Sequence, residues 1–119
     1  MENKEFSKKL EARTKAFALR VIKLSATLPK TVEAKIVRNQ LTKAGTSIGA
    51  NYREANRSRS RADFRNKIKI CEGEANETAY WLEISIDMNW SETNESELTL
   101  KESNELLAIF TSIGKNLNP

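Results

Sequence analysis

Histidine is absent from this sequence of 119 residues. That removes the commonest general base, the commonest metal ligand and the usual pH switch together. Neither Ser-His-Asp nor Cys-His catalysis can be assembled, and a mixed Cys/His zinc site is excluded. The one cysteine, Cys71, cannot form an intramolecular disulfide. With no apolar stretch after the basic N-terminal residues to serve as a signal peptide, a reducing compartment, the cytoplasm, is expected. Four glycines and two prolines are too few for a fold of many short strands. Long apolar runs are missing as well. The longest, Leu106 to Phe110, falls far short of a bilayer, so no membrane partner is expected.

What is present is helical repeat. The length fits a single domain over residues 1–119, with an apolar fraction of 39% that suffices for its own core. Four segments carry the pattern. In the first, Leu10, Phe17 and Leu24 recur every seven residues, interleaved with Thr14, Val21 and Leu28, and Pro29 ends the segment. Thr31 is a good N-cap for the second, with Glu33 in its first turn. Its stripe runs Val37, Leu41, Ala44, Ile48, Asn51 and Ala55, extended backwards by Ile36 and Val32. Gly45, Gly49 and Ala50 are small, which points to another helix packed close. Asn51, polar on an apolar stripe, is expected to fix register through a buried hydrogen bond.

Ser60 followed by Asp63 resembles a capping box, so the third helix is expected to start near Arg61. Phe64, Ile68, Cys71, Ala75, Leu82 and Ile86 make its main face. A second apolar set, Ile70, Trp81, Ile84 and Met88, falls mostly outside that stripe. In a four-helix bundle such a second face suits contact with another chain better than a central position. Asn89 to Ser96 reads as a loop, and the last helix carries Leu106, Phe110, Ile113 and Leu117 with Leu100, Leu107 and Ile109 beside them. Connections this short join antiparallel neighbours. The expected fold is therefore all-α, an up-down-up-down four-helix bundle.

Charge is divided along the chain. The net +4 conceals eleven Lys/Arg against four Glu in residues 1–43, and ten acids against Lys101 alone in residues 72–105. Between them, Arg53, Arg57, Arg59, Arg61, Arg65, Lys67 and Lys69 face only Glu54 and Asp63. Three readings are open: pairing between helices inside the monomer, complementary contact between subunits, or a basic patch for nucleic-acid phosphates. Arginines at every second position (57, 59 and 61) spread around a loop, which suits gripping a backbone better than reading bases. Aromatics that would stack on single-stranded bases are missing there, Tyr52 and Phe64 apart.

No constellation of catalytic residues emerges, and no cofactor or metal is expected. Glu72, Glu74, Glu77 and Glu83 on the third helix lack the histidine partners of a carboxylate di-metal bundle. Cys71 sits on the apolar stripe and reads as a small buried hydrophobe.

The stretch QLTKAGTSIGANYREANRSRSRADFRNKIKICEGEANETAYWL, Gln40 to Leu82, resembles the signature of the bacterial four-helix-bundle proteins encoded in intervening sequences of 23S ribosomal RNA genes. The likeness rests on Gln-Leu, a basic residue and Ala, Ser-Ile, Ala-Asn and Glu, then Arg, Ser, Asp-Phe and a Glu-rich helix ending in Tyr-Trp-Leu. Gln40, Asn51, Glu54, Ser60, Asp63 and Phe64 are its signature positions, in structural roles. One departure stands out: the family form has Ala-Glu-Gly where this chain has Arg53-Glu54-Ala55. The resemblance implies a homo-oligomer, a pentamer, similar to the accessory proteins of diversity-generating retroelements, which bind nucleic acid and a reverse transcriptase. The expected function is non-enzymatic binding of RNA or DNA through Arg53, Arg57, Arg59, Arg61 and Arg65. The alternative is a protein-interaction scaffold that docks an acidic partner such as a polymerase or reverse transcriptase.

Overall fold

The computed structural model describes residues 3–117. Four helices account for most of them: α1 (Lys4–Ser25), α2 (Val32–Ala55), α3 (Arg61–Asp87) and α4 (Thr93–Leu117), with no strand among the described residues. Each helix begins where a side chain can accept an orphan backbone N–H. Asn3 Oδ1 accepts from Phe6 N at 2.7 Å, Thr31 Oγ1 from Ala34 N at 3.2 Å, and Ser60 Oγ from Asp63 N at 3.1 Å. Helix α4 starts inside the stretch expected to be loop. The carboxylate of Glu92 supplies its cap, accepting from Asn94 N at 3.0 Å and Glu95 N at 2.9 Å.

Helix ends follow equally local causes. Helix α1 stops at Ser25, ahead of Pro29, and two tighter backbone bonds, Thr27 N to Leu24 O and Leu28 N to Ser25 O, fold Leu28 back into the core. Helix α3 ends in a Schellman arrangement: Asn89 N donates to Ile86 O and Trp90 N to Ser85 O, both at 3.0 Å. Asn89 takes the left-handed conformation this requires, with φ 56°, which asparagine tolerates better than most residues. Helix α2 needs no glycine at its end. Asn56 caps it with φ −69°, so Ala55 stays helical and buried where the family pattern has Gly.

The helices pack as a ring of neighbours, α1 on α2, α2 on α3, α3 on α4 and α4 on α1, while the backbones of the diagonal pairs stay apart and meet only through side chains in the core. The core holds Phe17, Val21, Leu41, Ile48, Phe64, Ile68, Leu82, Leu106 and Phe110, each worth about 1.5–3 kcal/mol in apolar burial. Tyr52 stands edge-on to Phe110, ring centroids 5.5 Å apart. No described helix is long and apolar enough to cross a membrane.

Two sequence expectations for α2 need correction. Tyr52, not Asn51, occupies the inward position after Ile48. Asn51 is half-buried and donates to Ser47 O of its own helix at 2.8 Å, so it ties nothing across the bundle. Val32 and Ile36 do not extend the buried stripe; they are 73% and 58% exposed, and Ala34 and Val37 point inward instead.

Candidate nucleic-acid interface

The arginine cluster sits on the turn between α2 and α3. Arg53 lies in the last turn of α2, Arg57 and Arg59 in the connection, and Arg61 and Arg65 in the first turns of α3. All are exposed except Arg65, which is half-buried. The turn is set by Arg57 N to Glu54 O and Ser58 N to Ala55 O, both 3.0 Å, and by the Ser60 cap. A short hydrogen-bonded turn therefore presents Arg57 and Arg59, with Arg53, Arg61 and Arg65 on the helices that flank it.

Other elements converge on this end. Asn56 Nδ2 donates to Glu11 Oε2 at 2.8 Å, bringing the start of α1 beside the end of α2. Arg61 Nη2 reaches Leu117 O at 3.4 Å, bringing the end of α4 beside the start of α3. Lys4, Lys8, Lys9 and Lys115 thus belong to the same end as the arginines. The fold turns a charge division along the sequence into an end-to-end polarity. Residues 3–14, 44–74 and 106–117 hold twelve basic against six acidic side chains, whereas residues 15–43 and 75–105 hold eight against nine.

Intramolecular pairing accounts for part of the charge. Arg13 grips Glu102 with two bonds of 2.7 Å and Glu105 with one of 2.8 Å, and these carboxylates hold its proton more tightly than usual. Arg20 Nε meets Glu95 at 2.7 Å, which keeps that carboxyl below its ordinary range. Lys67 pairs with Glu54 at 3.0 Å, settling where Glu54 points. At the arginine turn this pairing runs out. Arg53 approaches Glu11 only at 3.9 Å, and Arg57, Arg59 and Arg65 make no ion pair among the described residues.

An open cleft of about 450 Å³ lies between α1 and α2 beside Arg53, floored by Ala18, Gly49 and Ala50; its charged lining is balanced, Lys15 and Arg53 against Glu11 and Glu54, so it does not extend the basic surface. No exposed ring stands on the turn, because Tyr52 and Phe64 are both buried. Phe6, 42% exposed, belongs to the α1–α4 side, beside Ile109 and Ile113. The arrangement offers charge and forked donors, with no stacking platform.

Elsewhere the polar groups look inward. Cys71 is buried, its thiol pushed up to about 12 by desolvation, and it leans on Ile48 O at 3.5 Å. Glu72 accepts from Thr111 Oγ1 at 2.5 Å, and no cluster of three His, Cys, Asp or Glu suited to a metal occurs among the described residues. Of the second apolar set on α3, Ile70 and Met88 are exposed and Ile84 is half-buried. Trp81 turns partly against the core, and its buried indole N–H meets no acceptor among the described residues.

Residues 7–112 match the family described as 23S rRNA-intervening sequence protein. A crystal structure of a protein with unknown function from the S23 ribosomal protein family, from Bacteroides thetaiotaomicron VPI-5482, is similar to this chain. The two are 38% identical with a TM-score of 0.81, over 88% of this chain and 97% of the other. No curated protein matches.

Proposed function

The chain belongs to the family of 23S rRNA-intervening sequence proteins, and from that premise we propose that it is a non-enzymatic, cytoplasmic homo-oligomer that grips the phosphate backbone of RNA or DNA with its arginine-rich end. The observation that carries this reading is the set of guanidinium groups without an ion pair among the described residues, Arg57 and Arg59 on the hydrogen-bonded turn and the half-buried Arg65 in the first turns of α3, at the positive end. Arginine forks match phosphate oxygens two bonds at a time, and an exposed cluster of them raises the local concentration of a polyanion. Arg53 and Arg61 flank the same turn. Without rings to stack on bases or a helix laid out to read them, contact is with the backbone and indifferent to sequence.

The bundle runs up-down-up-down in this reading. Support comes from pairs such as Arg13 with Glu102 against Arg20 with Glu95, and Glu54 with Lys67 against Ile48 with Cys71, in which one index rises as the other falls. The homo-oligomer is the pentamer that the family resemblance implies, with Ile70, Trp81, Ile84 and Met88 of α3 at the subunit contact. Ile70 and Met88 lie open on the outer side of a helix whose inner side is already filled.

Binding of labelled duplex and single-stranded RNA and DNA across a salt series tests the function. Affinity should fall steeply, with log K linear in log salt. No binding at low salt would sink it, and a protein that instead captures one acidic protein while ignoring nucleic acid would favour the scaffold reading.

A further inference from the structure

Helices α1 and α3, which lie diagonally across the bundle with their backbones apart, each carry a second stripe at steps of three and four residues that faces away from the core. On α1 it runs Ala12, Lys15, Leu19, Ile22 and Ala26, all exposed, with Leu19 at 52% and Ile22 at 45%. On α3 it runs Ile70, Gly73, Glu77, Tyr80, Ile84 and Met88, of which Tyr80 is 55% exposed and only Ile84 is half-buried. The step of three and four residues is the pattern of a helix with a helical partner. Among the described residues neither stripe has one.

Charge distinguishes the two. Lys15 and Lys23 flank Leu19 and Ile22 and form no ion pair among the described residues. From Ile70 to Asp87, α3 has no Lys or Arg, and Glu77, Glu83 and Asp87 are likewise exposed and unpaired. Gly73 adds an independent sign. It sits mid-helix, where glycine is unfavourable, yet a Cβ there would meet nothing within 4 Å. The chain's own packing gives no reason for a glycine at that place, while close approach of another helix does.

We infer that the basic apolar face of α1 in one copy docks on the acidic apolar face of α3 in the next, with Lys15 opposite Glu77 and a helix seated over Gly73. This rests on the oligomeric reading above and goes beyond it: it names the face of α1 as the second, different surface that the α3 contact of a ring requires. Such contacts propagate head to tail until they close a ring.

Blocking each face separately tests the pairing. L19E/I22E blocks α1 and Y80E/I84E blocks α3, and G73W repeats the α3 block by bulk alone. All of these positions lie outside the core, and circular dichroism checks that each variant folds. Light scattering should find each variant at its chain mass of 13.5 kDa. An equal mixture of an α1-blocked and an α3-blocked variant should form a species of twice that mass, because one sound α1 face meets one sound α3 face and nothing further can add. A wild-type protein that oligomerises, combined with a mixture that stays monomeric, overturns the pairing and leaves the oligomer standing. A monomeric wild type at high micromolar concentration overturns both and leaves nucleic-acid binding untouched.

Discussion

Gly45 of α2 lies so close to Val21 of α1 that a Cβ added to the glycine would stand 2.6 Å from Val21 Cγ1. Both residues are buried, so neither can swing aside into solvent. Alanine is the better helix former by about 1 kcal/mol, but overpacking a filled core costs about 1–3 kcal/mol. The steric cost prevails: Gly45→Ala should lower stability by about 1 kcal/mol in urea denaturation. Adding Val21→Ala should make the Gly45 substitution neutral or stabilising, and additive losses in the double mutant would show that contact is not the cause.

The outline of this fold is written in local signals, each of which needs only near neighbours in the chain. Thr31 and Ser60 announced helix starts because a cap bonds three residues ahead. The seven-residue recurrence through Phe17 and Leu24 announced a buried face. The start of α4 was hidden because its cap is a glutamate, Glu92, an uncommon choice. Its buried residues were hidden too: Ser96, Thr99 and Ser103 fill the inward positions of its first half, and a hydropathy pattern passes over hydroxyls. They are buried at little cost because each finds a partner, Thr99 on Glu95 O, Ser103 on Ala75 O and Ser96 on Ser91. For the candidate site, the arginines could be named from sequence. Which of them lack an acidic neighbour depends on contacts between helices.

The bond between Arg13 and Glu102 is the strongest electrostatic tie from α1 to α4, with two parallel N–H donors 2.7 Å from two carboxylate oxygens. Both side chains are only partly exposed, and the pair is worth about 1 kcal/mol once solvent screening is allowed for. Glu102→Gln should cost about that much. Arg13→Lys should not restore the fork, since an ammonium cannot satisfy both oxygens in one plane. Denaturation curves for the two variants should agree closely, and a lysine variant as stable as wild type would reduce the tie to simple charge attraction.

Acid should loosen the same seam. Glu95 has its carboxyl below the ordinary value, chiefly through the bond from Arg20. A lowered carboxyl stabilises the fold above its unfolded-state value, and that contribution disappears as pH falls through the folded-state value. Stability measured from pH 6 down to pH 3 should therefore decline more steeply for wild type than for Glu95→Gln. Parallel curves would remove Glu95 from the account.

Cys71 should resist modification while the protein is folded. Burial pushes its thiol up to about 12, whereas a free cysteine titrates near 8.5. At pH 8 the thiolate fraction is lower by roughly a thousandfold, before access is considered. A disulfide reagent should react at the rate of local opening and reach full speed only in denaturant. Rapid labelling of the native protein would mean that the contact between α2 and α3 opens freely.

The arginine turn makes a prediction that separates local contact from overall charge. Each phosphate neutralised contributes about −0.9 to the slope of log K against log salt on duplex DNA. Arg57, Arg59 and Arg61 are exposed at one turn, and none of the three makes an ion pair among the described residues. Replacing all three by Glu should weaken binding at every salt concentration and reduce the slope by about 3. An equal charge change elsewhere, Lys30→Glu with Lys35→Glu and Lys101→Glu, alters the net charge by the same amount at exposed positions away from the turn. That variant should keep most of the wild-type slope, because screened charges beyond about 10 Å contribute little. Equal losses in the two variants would mean that the polyanion senses only net charge and that the turn holds no site. A loss confined to the arginine variant would locate the grip on the residues between α2 and α3.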